Sequence, residues 1–201
     1  NKRALPAGEI FRRKVKRMVR ELQGAPQGHV PKVFLGDARA LDMNSEEVGL
    51  IVTSPPYLNN IDYSKVYGLE LSLLDMSKAE AEEVRMRAVR SFITGNREPE
   101  TALPPEVGDA GFRIPIIGTY FKDMEAGISE MFRVLRSGGS AYVVVSNSVI
   151  HETHVLVDEI FAQMAERIGF SDVEIVVGAE RIADVKPQRV KTRESVVVMR
   201  K

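Results

Sequence analysis

The sequence contains no cysteine. The chain can therefore form neither a disulfide framework nor a thiolate zinc site, and it cannot use a cysteine nucleophile. This absence fits a reducing compartment, and we expect a cytoplasmic protein. No apolar run approaches the roughly 18 residues that a membrane span requires, and the amino terminus, Asn1 to Arg3, carries no apolar signal region. We therefore expect a soluble protein with no membrane partner.

An excess of charge of either sign is also missing. Lys+Arg and Asp+Glu number 28 each, so the overall charge does not indicate a nucleic-acid partner and any basic surface must be local. The first helix predicted below is basic, and Lys186, Arg189, Lys191 and Arg193 form a second basic group that could contact phosphates. A solvated charged face explains the helix as well. The three histidines are too scattered for a metal site, and we expect no metal.

Apolar periodicity predicts alternating helices and strands. The predicted helices cover residues 8–23, 63–74, 77–92, 120–135 and 154–168, and the predicted strands cover residues 33–35, 49–53, 141–145, 173–177 and 195–199. The strand at 49–53 is continuously apolar, which favours burial on both faces. The last two strands suit a hairpin. This order predicts an α/β fold whose sheet is mostly parallel with an antiparallel terminal hairpin.

Residues 94–118 differ from the rest of the chain. They contain four prolines and four glycines, so we expect an irregular Pro/Gly-rich insertion, longer than a connection between two elements requires.

The length of 201 residues is that of one ordinary domain, with 44% hydrophobic residues to build its core.

The stretch TSPPYLNNIDY, residues 53 to 63, follows the second predicted strand. Each proline fixes φ and removes an N–H, so Pro55 and Pro56 give a stiff turn whose carbonyl oxygens have few local donors. A flat donor such as an exocyclic amine could be held between the Ser54 side chain and the Pro55 carbonyl, with the Tyr57 ring stacked on the attached base. The alternative is a turn that only ends a strand, with Tyr57 packed into the core. We favour a site, because ligands gather at the carboxyl ends of such strands.

Residues 53 to 57, TSPPY, resemble the catalytic motif Asp/Asn/Ser-Pro-Pro-Tyr/Phe of S-adenosylmethionine-dependent DNA amino-methyltransferases. The continuation LNNIDYSKVYGLELSLL is similar to a branch of prokaryotic modification methylases, and so are RVLRSGGSAYVVVSNS (133 to 148) and RVKTRESVVVMRK (189 to 201). The resemblance implies a Rossmann-like class I methyltransferase fold and a single catalytic domain over residues 1–201. It also implies a restriction-modification setting, with S-adenosyl-L-methionine as cofactor and DNA with a flipped base as partner.

The resemblance also assigns site residues by position. Ser54 and Pro55 would accept hydrogen bonds from the target amine, and Tyr57 would stack on the flipped base. The predicted residues are, for catalysis, Ser54, Pro55, Pro56 and Tyr57; for the cofactor, Asp37, Ala38 and Thr53; and for the substrate, Asn59, Asn60, Asp62 and Tyr63. An Asx turn is the alternative for Asp37, and helix capping is the alternative for Asp62. Asn147 and Ser148 match a polar strand end of the family without a specified role.

The chain departs from the family at its cofactor loop. Methyltransferases of this fold hold the methionine part of the cofactor on a glycine-rich loop after a strand, and this sequence has none: Gly138-Gly139 precedes a strand instead. In the usual sheet order of this fold, the strand before the glycine-rich loop and the strand after it lie between the strand that leads to Asp37 (33–35) and the strand that leads to Ser54 (49–53). Omission of those two strands would leave a gap in the middle of the sheet. We expect that the domain is incomplete, and that a missing segment or another chain supplies the loop, unless cofactor binding has been lost.

The resemblance leaves the target open between cytosine N4 and adenine N6. A serine before the prolines is more often associated with cytosine in this family, so cytosine N4 is the favoured target. Two other classes remain: a non-catalytic nucleic-acid-binding or partner subunit with a methyltransferase-like fold, and methylation of RNA or of a protein amide.

Overall fold

The computed structural model describes residues 5–24, 28, 30–58, 61–92, 102–185 and 188–201. The chain divides into two compact units, Asn1–Leu35 and Gly36–Lys201. No helix of the described residues is long and apolar enough to cross a membrane. His29 and the basic residue Lys186 lie outside the described residues.

The first unit contains helix α1, Ala7–Gln23, which agrees with the predicted helix to one residue. Two of its basic side chains pair with acidic ones four residues away: Arg13 bonds Glu9 at 2.6 Å, and Arg17 lies 3.6 Å from Glu21. The predicted strand at Val33 to Leu35 is wrong, because these residues adopt no regular structure. A strand needs a second backbone to accept its hydrogen bonds, and no pairing is described for this segment.

The second unit is an α/β layer structure built on a mixed sheet. The four strands are β1 (Val48–Thr53), β2 (Leu135–Ser146), β5 (Asp172–Val185) and β6 (Gln188–Arg200), in the order β1-β2-β6-β5. The β1–β2 pair is parallel, whereas β6 runs antiparallel to both β2 and β5. The α/β class and the antiparallel terminal hairpin are therefore confirmed, and the described parallel part of the sheet is the β1–β2 pair. A separate two-stranded ribbon joins β3 (Ser148–Ile150) and β4 (Thr153–Val155).

Strand β1 is less buried than its sequence predicts. It is an edge strand, and the side chains of Leu50 and Val52 are 59% and 70% exposed. The prediction of burial on both faces is wrong, because no described residues pair with the outer edge of β1 or cover these side chains. Because residues 33–35 form no strand, the predicted gap between two strands of the sheet is not what the described residues show, and β1 is the edge of the sheet instead.

Helix α6, Pro115–Val134, supplies much of the core. Its apolar residues recur at helical spacing and place Tyr120, Phe121 and Ile128 against the sheet with no exposed surface. The Tyr120 ring meets Phe121 edge to face, with centroids 5.2 Å apart, and stacks beside Phe161 of α7 at 6.3 Å. Helix α7, Val157–Ile168, ends at Gly169, whose φ of 124° suits a residue without a Cβ.

The segment expected to be irregular is largely helical where it is described. A 3₁₀ turn at Pro105–Val107 leads into α5, Gly108–Arg113, and α6 starts at Pro115, five residues before the predicted start. Proline at the first helical position has a φ that already suits the helix, and the N–H it lacks has no partner there. Residues 94–101 of the segment lie outside the described residues.

Three shorter helices lie between β1 and residue 93. They are α2 (Tyr63–Val66), α3 (Gly68–Leu73) and α4 (Lys78–Arg87). The helix predicted at 63–74 is thus divided, and the one predicted at 77–92 stops at Arg87. A capping box between Ser77 and Glu80 starts α4.

Candidate active site

The Ser-Pro-Pro-Tyr corner directly follows the last residue of β1. Ser54 is exposed, while Pro55, Pro56 and Tyr57 are half-buried. Leu58 has no exposed surface, so Leu58 is the residue of this stretch that enters the hydrophobic core. The alternative in which Tyr57 is packed into the core is therefore not what the structure shows.

A line of polar groups leads from Ser54 to the terminal hairpin. The Ser54 hydroxyl makes a long contact of 3.4 Å as donor to the Tyr57 hydroxyl oxygen, and the Tyr57 hydroxyl donates to Glu194 Oε1 at 2.9 Å. Glu194 Oε2 accepts from Arg181 at 2.8 Å. Burial raises the pKa of Tyr57; the hydrogen bond from Ser54 lowers it, and the bond to Glu194 raises it further. Tyr57 is therefore held as a neutral phenol at neutral pH.

The carbonyl groups of the two prolines have different surroundings. The buried Tyr120 hydroxyl donates to the Pro56 carbonyl at 3.0 Å, which fixes the corner to helix α6. Burial raises the pKa of Tyr120, so its hydroxyl stays a donor. Within the described ranges no donor is bonded to the Pro55 carbonyl oxygen. Among the described residues, the Pro55 carbonyl oxygen, one residue after Ser54, therefore has no hydrogen-bond donor.

The predicted substrate residues Asp62 and Tyr63 come together with Pro56 around one cavity of about 370 Å³. Its wall is mostly apolar and aromatic, and it also includes Tyr67, Ser91 and Phe92. The Ser91 hydroxyl is buried and has no hydrogen-bond partner in the described structure. Ser54 does not line this cavity, and Asn59 and Asn60 lie outside the described residues.

Asp62 is engaged by the surrounding helices. Its carboxylate accepts from Ser64 and from Arg85 Nε at 2.7 Å, and the Arg85 guanidinium lies 4.9 Å from the Phe92 ring centroid. Burial acts to raise the pKa of Asp62, but the hydrogen bonds from Ser64 and Arg85 outweigh it and lower the pKa. Asp62 precedes α2 without a side-chain cap bond, so its observed role is to join α2 to α4.

The predicted cofactor residue Asp37 lies in a turn closed by Arg39. Both Asp37 oxygens accept from the Arg39 side chain, and Oδ1 also accepts the Arg39 backbone N–H at 2.9 Å, which is an Asx turn. The hydrogen bonds from Arg39 lower the pKa of Asp37. Arg39 also reaches the buried Asp123 at 3.0 Å, which ties the turn to α6. Ala38 is exposed in the same turn, and Thr53 is the half-buried last residue of β1.

A second polar network lies beyond the end of β2. Asp158 has no exposed surface and accepts from Arg193 at 2.7 Å and from the Ser195 hydroxyl at 2.7 Å. The Asn147 side chain accepts the Asp158 backbone N–H at 3.2 Å. Asn147 therefore caps the start of α7, Ser148 is buried beside it, and Arg193 is committed to this network, although its sequence context suggested a phosphate contact.

Sequence reasoning missed Glu194, Arg181 and Tyr120 as neighbours of the motif. Glu194 lies within the closing segment that resembles the family, but its spacing carries no signal for a contact with a residue 137 positions earlier. The apolar periodicity identifies Tyr120 only as the start of a helix. Both contacts depend on the tertiary structure, which brings Glu194 of β6 and Tyr120 of α6 to the residues that follow β1.

Comparison with protein-family models gives no match. The chain is 29% identical over 153 residues to the type II methyltransferase M.AvaI of Nostoc sp. PCC 7120, covering 63% of this chain and 32% of that protein. It is 24% identical to the type II methyltransferase M.BsoBI of Geobacillus stearothermophilus, covering 79% of this chain and 39% of that protein. The chain thus spans about a third of the length of these relatives.

Comparison with solved structures finds a partial match to the putative DNA modification methylase TTHA0409 of Thermus thermophilus, complexed with S-adenosyl-L-methionine. The TM-score is 0.48 at 18% identity, over 83% of this chain and 54% of that one. A SAM-dependent methyltransferase of Methanosarcina mazei gives a TM-score of 0.38 at 12% identity, over 92% of this chain and 76% of that one. By sequence, the chain is similar over part of its length to these two type II methyltransferases.

Proposed function

We propose that the protein containing this chain transfers a methyl group from S-adenosyl-L-methionine to an exocyclic amine of a DNA base, with cytosine N4 as the favoured target. The observation that carries the proposal is the corner itself, where an exposed Ser54 hydroxyl and an open Pro55 carbonyl oxygen follow the end of a strand. The sequence relationship to type II methyltransferases supports the same reaction. A restriction-modification setting follows from that relationship.

The chain's own residues would hold and orient the amine. A planar amino group has two N–H donors, and the Ser54 oxygen and the Pro55 carbonyl are two acceptors on a rigid turn. The cofactor supplies an electrophilic methyl group on a sulfonium sulfur. As the amine nitrogen commits its lone pair, it gains positive charge, and the two fixed dipoles stabilise that charge. No covalent enzyme intermediate is needed.

The Tyr57 ring supports base stacking in this scheme. Its hydroxyl is fixed to Glu194, and the ring is only half-buried, so part of the aromatic surface is open to a ligand. The apolar cavity beside Pro56, with Tyr63 and Tyr67 in its wall, adds aromatic surface next to the corner. We propose that a base extruded from the duplex enters beside these rings.

The chain carries a predicted contact for only one end of the cofactor. Asp37 is the predicted contact for the adenine end, and its oxygens already accept from Arg39. The sequence has no glycine-rich loop behind a strand for the methionine end. The exposed apolar residues of β1, and its outer edge with which no described strand pairs, support the proposal that a further segment, of this protein or of another chain, pairs there and brings that loop.

Methylation by the full-length protein tests the reaction. The protein is incubated with labelled cofactor and unmethylated DNA, and the nucleosides are separated by mass spectrometry, which distinguishes N4-methylcytosine from N6-methyladenine. An RNA substrate is included as a competitor. Label in neither DNA base would refute the proposal, and label in RNA alone would favour the RNA alternative.

The variant Ser54→Ala tests the corner. Loss of one acceptor at the reacting group is expected to lower the rate by about 10²-fold. Ser54 is exposed, so the melting temperature should not change. Ser137→Ala, an exposed serine in the first residues of β2, is the matched control and should keep full activity. An active Ser54→Ala enzyme would show that the amine is held elsewhere.

Calorimetry with S-adenosyl-L-methionine separates the enzyme from a non-catalytic subunit. We expect the full-length protein to bind the cofactor and residues 1–201 alone to bind it at least roughly tenfold more weakly, because the chain fits only one end of the molecule. Failure of the full-length protein to bind would favour the non-catalytic alternative.

A further inference from the structure

We propose that Glu194 is a positioning residue of the methyl-transfer site: acting through Tyr57, it fixes the direction of the hydrogen bond made by Ser54, so that the Ser54 lone pairs face the target amine. The catalytic part of this proposal rests on the proposed function. The contact between Glu194 and Tyr57 does not, because it belongs to the folded chain.

The direction follows from what each group can donate. An ionised carboxylate has no proton, so Glu194 can only accept, and the Tyr57 hydroxyl must give its single proton to Oε1 at 2.9 Å. The Tyr57 oxygen is then left as an acceptor for the Ser54 hydroxyl at 3.4 Å. Ser54 also has one proton. Once that proton points to Tyr57, its remaining lone pairs are the only feature that it presents to a ligand.

The opposite direction would work against binding of an amine. If Tyr57 donated to Ser54, the Ser54 hydroxyl proton would be free to point at the substrate. An amine N–H would then meet a donor instead of an acceptor. The Glu194 carboxylate, which can only accept hydrogen bonds, therefore decides whether Ser54 faces the substrate as an acceptor or as a donor.

Glu194 is well placed to hold this orientation. Its backbone lies in the middle of the sheet, where β6 pairs with Ser146 of β2 on one side and with Ala179 of β5 on the other. Its second oxygen, Oε2, accepts from Arg181 at 2.8 Å, which leaves Oε1 for Tyr57. The two ladders thus fix the Glu194 backbone, and the ion pair with the exposed Arg181 side chain orients its carboxylate toward Tyr57.

The isosteric variant Glu194→Gln keeps the shape of the side chain and changes only the direction in which the hydrogen bonds through Tyr57 can run. A glutamine amide can turn its NH₂ group toward Tyr57 and donate, which permits the reversed line of hydrogen bonds. Tyr57→Phe removes the intermediate hydroxyl. Glu180→Gln changes an exposed carboxylate on the neighbouring strand β5 and is the matched control.

The first experiment measures the contact in the full-length protein without substrate. Tyrosine labelled with ¹³C at Cζ is incorporated, and the Tyr57 signal is identified by its loss in Tyr57→Phe. We expect Glu194→Gln to shift the Tyr57 signal and Glu180→Gln to leave it in place. An unchanged Tyr57 signal in Glu194→Gln would overturn the proposal.

The second experiment measures single-turnover methylation and DNA affinity. We expect Glu194→Gln to lower the transfer rate roughly tenfold, as expected for one misdirected hydrogen bond, with a smaller change in the dissociation constant for DNA. In the Tyr57→Phe background the same substitution should have no further effect, because Glu194 acts through Tyr57. Independent, multiplying effects would overturn the proposal. A wild-type protein without activity would refute the proposed function, while the labelled-tyrosine experiment would still decide whether Glu194 orients Tyr57.

Discussion

Removal of the Tyr120 hydroxyl should weaken both the fold and the corner. Tyr120 has no exposed surface, and its hydroxyl donates to the Pro56 carbonyl at 3.0 Å. Tyr120→Phe keeps the ring and its aromatic contacts, so the loss is that of one hydrogen bond to a half-buried carbonyl. Such a bond contributes about 1 to 1.5 kcal/mol net. For a chain of this size, that corresponds to a melting temperature lower by about 2–6 °C.

The assay is thermal unfolding of Tyr120→Phe beside Tyr142→Phe. Tyr142 is 36% exposed on β2, so water can solvate its hydroxyl and its removal should cost little. In the full-length enzyme, Tyr120→Phe should also lower the transfer rate, because the Pro55 carbonyl shares the turn that Tyr120 fixes. Equal melting temperatures for the two variants would refute the inference that Tyr120 anchors the corner.

Two further substitutions test the core and the second polar network. Asp158→Asn should cost about 3 kcal/mol at pH 7, measured by urea unfolding, because it leaves Arg193 with less compensation in a buried network. Burial acts to raise the pKa of Asp158, but the hydrogen bonds from Arg193 and Ser195 outweigh burial and lower the pKa. The stability that ionised Asp158 contributes is therefore present above the unfolded-state pKa of about 4 and is lost as the pH falls below that value. The stability difference between Asp158→Asn and the wild type should shrink at such low pH. A deficit independent of pH would contradict this. Gly118→Ala should destabilise the contact between α5 and α6 by about 1–3 kcal/mol, because an added Cβ would lie 2.7 Å from the Gly111 carbonyl oxygen; an unchanged unfolding midpoint would show that the helices separate freely.

The sequence predicts helices and strands well where a residue within the segment itself marks the end of the element. Helix α1 follows its apolar repeat to within one residue, and α7 ends at the glycine that the sequence marks. The β-branched residues predict the terminal hairpin, although both strands extend well beyond them. Pro115 is an equally local signal for a helix start, but the density of prolines and glycines around it favours irregular structure, and that prediction is wrong for the described part of the segment.

Burial cannot be predicted in the same way, because it depends on what lies beside an element. The apolar run of β1 predicts a covered strand, yet Leu50 and Val52 are exposed since no described neighbour pairs with that edge. The same limit applies to the site. The motif predicts where Ser54 lies, but the partner of Tyr57 is a residue on the last strand, and only the folded sheet brings Glu194 to it.

The corner is thus supported on two sides and open on a third. Helix α6 holds the Pro56 carbonyl through Tyr120, and β6 holds Tyr57 through Glu194, so residues of this chain fix the neighbours of the proposed acceptors, Ser54 and Pro55, before any ligand binds. The side next to β1 carries exposed apolar residues and an edge that no described strand pairs with. Orientation of the amine and binding of the cofactor should therefore depend on different parts of the protein. Amine orientation should respond to substitutions at Ser54 and Glu194, whereas cofactor affinity should respond to the presence of the proposed segment at the edge of β1. A protein in which substitution of Glu194 weakened cofactor binding as strongly as methyl transfer would contradict this division.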